Sequence, residues 1–171
     1  MKNKIILNIP HSSLQLSKEF LQAKKVLNDD EIENFNLQMT DLFTDKLFSC
    51  KNFSHIKAKY SRIVCDVEKF VDDKKEIMAK YGLGVIYKNN LKQKQIFSNL
   101  DMAYREKILN KYYFPYHKKL DNVVGKYLNG MTWFWLIAIH SQKKLLWIAF
   151  KKIIFQTFAL VMPQSFVQKN W

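Results

Sequence analysis

Arginine is nearly missing from this 171-residue chain: of its 28 basic residues, only Arg62 and Arg105 are not lysine. Arginine is the side chain that forks onto phosphates and reads base edges. A net charge of +13 carried by scattered lysines therefore points to a solvated surface, and no nucleic-acid partner is expected. Cysteine is equally scarce. Cys50 and Cys65 have neither the number nor the spacing of a disulfide framework or a structural zinc site, which leaves two reduced thiols. The apolar run before Pro10 is too short for a signal peptide, whose apolar segment needs roughly 7–15 residues, so the chain is read as cytoplasmic. With 4 glycines and 3 prolines there is no linker or low-complexity tract before Gly130, and the length is that of one domain.

The sharpest absence is regional. From Met131 to Trp171 there is no Asp or Glu, yet all 4 tryptophans are there, whereas all 15 acidic residues and all 8 tyrosines lie before Gly130. The chain thus divides into residues 1–130 and an apolar, basic tail, 131–171. Leu145 to Met162 approaches the length of a bilayer span, but Lys151, Lys152 and Gln156 interrupt it, and each lysine near a helix centre costs about 2.5–3.5 kcal/mol. No stable membrane insertion is expected. An alternative function class is a membrane-surface or interaction protein that uses the tail as a surface-lying helix.

What is present before Gly130 alternates between strand and helix patterns. "KIILNI" reads as a buried strand that delivers "PHSS" to a loop. From Asp29 to Cys50, Ile32, Phe35, Met39 and Leu47 recur at helical spacing behind an acidic start. "YSRIVCDVEKF" alternates: Ile63, Cys65 and Val67 face one way and Arg62, Asp66 and Glu68 the other, as a strand's period of two requires. "KYGLGVIYK" gives a glycine-marked loop and a second short strand. Asp101 to Tyr113 reads as helix, and Pro115 suits the first turn of the next, where His117, Leu120, Val124 and Tyr127 share a stripe. The pattern predicts an α/β layer architecture with ligands beyond the carboxyl ends of the strands.

Four stretches in order, "IPHSS" at 9–13, "MTDLFTDKLF" at 39–48, "SRIVCDVEKF" at 61–70 with "YGLGVIY" at 81–87, and "YYFPYHKKL" at 112–120, together resemble the N-formylglutamate amidohydrolase family. The resemblance implies an incomplete three-layer α/β sheet of carboxypeptidase-like type with flanking helices and a poorly defined C-terminal tail. It implies a zinc hydrolase that removes an N-acyl, formyl, group from an acidic amino acid in histidine catabolism. The partner is then a small-molecule N-acyl amino acid, and the oligomeric state is left open.

A catalytic zinc needs about three protein ligands and an open position. His11 is the first candidate ligand. Asp41 is either the second or a ligand's orienting partner, and it forms an i, i+4 pair with Asp45 that has solvated surface acids as its ordinary alternative. Related zinc hydrolases often carry a Glu three residues after the first His; here Leu14 stands there. The resemblance assigns Asp66, Glu68 and His117 to catalysis and Ser12, Arg62 and Lys69 to substrate binding. Arg62 could fork onto a substrate carboxylate or simply satisfy Asp66. His117 could equally be a core histidine. Lys69 stands where the family commonly has Arg, and it keeps the charge without the fork.

The family's remaining motif, Asp-x-His-Ser, is expected soon after Gly130. "WFWLIAIHSQ" offers His140 and Ser141, but Ala138 occupies the carboxylate position. Back-translating Met131 to Ser141 in a displaced frame permits D-x-V-L-V-D-C-H-S. The tail therefore reads as an out-of-frame translation, with His140 a decoy, the domain cut short and its activity impaired.

Overall fold

The computed structural model describes residues 5–49, 51–128, 135–138 and 140. Cys50 and the stretch from Leu145 to Met162 lie outside the described residues. Strand β1 (Ile5–Ile9) is the centre of a three-stranded sheet, flanked by β2 (Ser54–Lys57) and β3 (Trp135–Ala138) in the order β2-β1-β3. Both pairings are parallel: Leu7 lies opposite His55 on one side and Ile137 on the other. Parallel strands are normally covered on both faces, and β1 reads accordingly, with Ile6, Leu7, Asn8 and Ile9 all buried. The mixed α/β expectation holds. The strand β2 was not legible in "NFSHIKAK", which reads as a lysine-rich loop around His55.

Among the described residues, five α-helices accompany the sheet: α1 (Lys18–Gln22), α2 (Asp29–Met39), α3 (Thr44–Leu47), α4 (Met102–Ile108) and α5 (Phe114–Leu128). Helix α2 starts on a capping box, in which the Asn28 side chain accepts from the Glu31 amide at 2.8 Å and the Glu31 carboxylate accepts from the Asn28 amide at 3.0 Å. It buries Ile32, Phe35 and Asn36. The expected single helix to Cys50 is corrected: α2 stops at Met39, Thr40 is extended, and Phe43 takes a left-handed φ of 65° before α3 begins. Local side-chain bonds compete with the helix here, because Thr40 Oγ1 donates to Asn36 O and Thr44 Oγ1 to Asp41 O, each at 2.7 Å.

The expected strands at Tyr60–Phe70 and in "KYGLGVIYK" are also corrected. Residues 63–67 are buried without alternation and run as successive turns, with Val64 N and Cys65 N both directed at Ser61 O. Their backbone is tied to the second segment by Asp66 N donating to Val85 O at 2.8 Å. The apolar period of two came from a segment packed on every side, where pattern no longer reports a ladder. Asp101 caps α4 through its side chain, and α4 runs through a π-helical turn, Leu109–Tyr113, directly into α5. Pro115 therefore sits in the first turn of α5, as expected, but no break precedes it. Leu120 and Val124 are buried on the predicted stripe; the side chain of Tyr127 lies outside the described residues.

One core joins these parts: Ile6, Ile56, Ile63, Val85, Ile96 and Ile108 are fully buried together. Each such side chain contributes roughly 1.5–3 kcal/mol relative to exposure. Among the described residues, no helix is long and apolar enough to cross a membrane.

Two glycines should respond with opposite signs. Gly82 has φ +75°, and a Cβ there would lie 2.6 Å from Asn89 Nδ2, whereas nothing lies within 4 Å of a Cβ on Gly125 in α5. Gly82→Ala is expected to lower stability by about 1–2 kcal/mol and Gly125→Ala to raise it by roughly 0.5–1 kcal/mol in urea unfolding. Shifts of the same sign would contradict the assigned backbone.

Candidate active site

The carboxyl ends of β1 and β3 put two histidines side by side. His11 follows β1 by two residues and His140 follows β3 by two, and their rings lie 5.3 Å apart at 51°. The break between α2 and α3 turns Asp41 toward them, with its amide donating to His11 O at 2.9 Å. Asn36 steadies the entry, since its amide donates to Leu14 O at 2.8 Å while its Oδ1 accepts from Ser61 Oγ at 2.5 Å. Helix α2 thereby holds both the histidine loop and the start of the 61–68 segment.

Asp66 organises the interior of the site. Its carboxylate is wholly buried, and Oδ2 accepts from Arg62 Nε at 3.0 Å, Arg62 Nη2 at 2.7 Å and the Tyr87 hydroxyl at 2.7 Å. Oδ1 accepts from His11 Nε2 at 2.8 Å and from the Glu68 amide at 3.2 Å. Burial alone would push the Asp66 pKa up, but the His11 and Arg62 charges and these donors hold it well below the usual carboxylate range. Burial opposes a charged His11 ring, and the facing Asp66 and Asp41 carboxylates nevertheless raise its pKa. With Nε2 donating to Asp66, a neutral His11 presents its lone pair at Nδ1. Nδ1 is buried, has no hydrogen-bond partner among the described residues and stands 3.6 Å from Asp41 Oδ2.

His140 completes the cluster. Its Nδ1 is 3.4 Å from Asp41 Oδ2 and its Nε2 is 3.2 Å from Glu68 Oε2, and hydrogen bonding first to Asp41 and then to Glu68 raises its pKa to about 9. The expectation that His140 is a decoy is corrected: in the frame as written, β3 pairs with β1 in a register that carries His140 to the site. Glu68 Oε2 is also 3.6 Å from His11 Nε2, and its Oε1 is buried without a hydrogen-bond partner among the described residues. His11, Glu68 and His140 each offer one donor atom, all within 4.8 Å of one another. Two imidazoles, two carboxylates and orphaned buried donor atoms form a set that suits a divalent cation. Ligands about 2.0–2.2 Å from a tetrahedral ion stand roughly 3.3–3.6 Å apart, close to the separations of Asp41 Oδ2 from both Nδ1 atoms.

The other candidates lie around this cluster rather than in it. His117 Nε2 donates to Val67 O at 2.8 Å, its ring lies 4.3 Å from that of Tyr113, and burial lowers its pKa. It props the backbone next to Glu68. Lys69 Nζ donates to Glu76 Oε1 at 3.1 Å, and Lys69 O accepts from the Tyr113 hydroxyl at 2.9 Å. Ser12 is half-buried beside His11. Asp45 does not join Asp41; it sits in α3, 3.5 Å from Lys57 Nζ. His55, on β2, donates to Phe48 O. Sequence reasoning passed over Tyr87 and set His140 aside. Tyr87 closes the quoted "YGLGVIY", and His140 ends an apolar run, as His11 does.

The family model for N-formylglutamate amidohydrolase matches residues 3–152. The chain belongs to the N-formylglutamate amidohydrolase family. The match includes β1, β3 and every residue of the cluster. A crystal structure of N-formylglutamate amidohydrolase from Ralstonia eutropha JMP134 shares the fold, with a TM-score of 0.70 and 20% identity over 87% of this chain. That alignment spans 57% of the Ralstonia chain's length. Among curated proteins, none matches.

Removing the Tyr87 hydroxyl tests the hub without touching a histidine. Tyr87→Phe deletes one donor to a buried charge and should lower unfolding stability by about 1.5–3 kcal/mol. Asp66→Ala, which strands Arg62 and His11, should cost about 3–5 kcal/mol or prevent folding. A wild-type urea midpoint for Tyr87→Phe would contradict the assignment.

Proposed function

We propose that this chain is a metal-dependent amide hydrolase that removes an N-acyl group from an acidic amino acid, as the family name indicates for N-formylglutamate. The convergence of His11, His140, Asp41 and Glu68 at the ends of two parallel strands carries the reading. The choice of ligands follows from His11. Because Asp66 takes Nε2, the ring would ligate through Nδ1, and Asp41 is the carboxylate facing both Nδ1 atoms. His11, Asp41 and His140 would hold the ion, with zinc favoured by imidazole and carboxylate donors, and Asp66 would fix the His11 ring as an outer carboxylate.

Zinc, when bound, supplies a Lewis acid and lowers the pKa of a water toward about 7. Glu68 would hold the His140 ring from the Nε2 side, across the ring from Asp41, and only by swinging off that nitrogen would it take a proton as water attacks the acyl carbon and return one to the nitrogen as the C–N bond breaks. The products are the free amine and the carboxylic acid, formate for a formyl substrate. Arg62 brings a positive charge beside the cluster for an anionic substrate, and Ser12 adds a hydroxyl. His117 would act by fixing the Val67–Glu68 backbone. Lys69 reaches the substrate only by leaving Glu76. The carboxypeptidase-like description of the layers belongs to the same proposal.

Dialysis against zinc should load about one equivalent per chain, with binding weakened at least about 10-fold in His11→Ala and in His140→Ala. N-formyl-L-glutamate should release formate slowly, and a chelator should abolish it. The slowness is expected because Ala138 stands where the family motif carries its own Asp, so Glu68 must serve both as the carboxylate at His140 Nε2 and in the proton transfer, and such outer partners are worth about 10–100-fold. Failure to bind zinc, or release that survives chelation, would contradict the proposal.

The displaced reading frame from about residue 131 remains a proposal about the gene, supported by the coding argument and the acid-free composition. Sequencing the locus around codon 130 should reveal an insertion or deletion relative to related genes. An uninterrupted frame in those relatives that encodes "WLIAIHSQ" would end it.

A further inference from the structure

Beside the 65–67 segment lies a cavity of about 420 Å³, between the end of β2 and the face formed by the π-helical turn and α5. Cys65 and Val67 line it, whereas the alternate residues Asp66 and Glu68 belong to the histidine site, and none of the site's side chains enters it. Its size falls within the roughly 300–1,000 Å³ of small-ligand pockets. Three tyrosines give it flat walls. Tyr60 and Tyr112 meet edge to face at 4.7 Å, and the Tyr116 ring is fixed because its hydroxyl donates to Asn8. Burial keeps the Cys65 thiol neutral, so the floor is apolar.

Lys57, Lys59, Lys111 and Lys119 complete the lining, which contains no carboxylate. Two of them are compensated from outside: Lys57 by Asp45 at 3.5 Å, and Lys111 by Glu19, which also accepts from the Tyr112 hydroxyl. Lys59 stands 5.2 Å over the Tyr60 ring, and neither Lys59 nor Lys119 has an ion-pair partner among the described residues. The lining is therefore aromatic in its walls and short of one or two negative charges at its mouth. An uncharged ligand would fill the walls and leave those cations uncompensated. A polyanion would gain little from three rings.

We infer that this cavity is a binding site, separate from the histidine cluster, for a small planar organic anion of the aromatic-carboxylate class. Its carboxylate meets Lys59 and Lys119, and its ring packs against Tyr60, Tyr112 and Tyr116.

The test is equilibrium dialysis of the full chain against 2-naphthoate and its uncharged amide, with two charge-reversed doubles. Lys59→Glu/Lys119→Glu alters the mouth, and Lys24→Glu/Lys92→Glu makes the same charge change at exposed positions elsewhere. All four substituted side chains are exposed, and circular dichroism checks that both doubles are folded. Wild type should hold naphthoate at least about fivefold more tightly than the amide, as two partly screened charge contacts allow. That preference should vanish in the first double and persist in the second. Equal affinity for acid and amide in wild type, or an equal loss in both doubles, would overturn the site.

Discussion

A buried carboxylate is the constraint on which the rest of this structure depends. Taking Asp66 out of water costs several kcal/mol, and it is tolerable only because a guanidinium, an imidazole, a phenol and an amide all converge on its two oxygens. Those donors come from four places in the chain: the end of β1, the turns at 62, the amide of Glu68, and Tyr87. Satisfying Asp66 therefore closes three loops onto one another, and the same closure fixes the His11 ring. Fold and site share one set of bonds here.

The distribution of carboxylates gives this weight. In a chain with 28 basic and 15 acidic residues, an acid placed at random on the surface would meet a lysine. Several do, as Glu31 and Lys94 show at 2.7 Å. Asp41, Asp66 and Glu68 instead gather around two of the four histidines, away from the lysines. Like charges in one cluster repel, so the arrangement is unfavourable unless positive charge, from protons or a cation, is supplied between them. That cost is what distinguishes a site from a satisfied polar core.

Much of this was legible in the sequence, and the failures share a cause. β1 and α2 announced themselves through an apolar run closed by Pro10 and a capped helical stripe, and His11 was readable as the residue such a strand delivers. Asp66 and Arg62 were readable as partners, although the four-residue spacing that joins them comes from turns rather than a strand face. Segment 60–70 misled because it is buried on all sides. The helix break at Thr40–Phe43 was hidden because side-chain bonds from Thr40 and Thr44, together with a left-handed Phe43, leave the apolar spacing intact. His140 and β3 were discounted because Ala138 replaces the motif's Asp and a displaced frame restores it, but neither argument reports register, and pairing with β1 decides where His140 goes.

X-ray absorption at the zinc edge of the metal-loaded full chain tests the central claim most directly. The account predicts a four- or five-coordinate ion with two imidazoles and oxygen donors, losing one imidazole in His140→Ala and keeping both in His117→Ala. A spectrum with no imidazole scattering, or one that His140→Ala leaves unchanged, would contradict it.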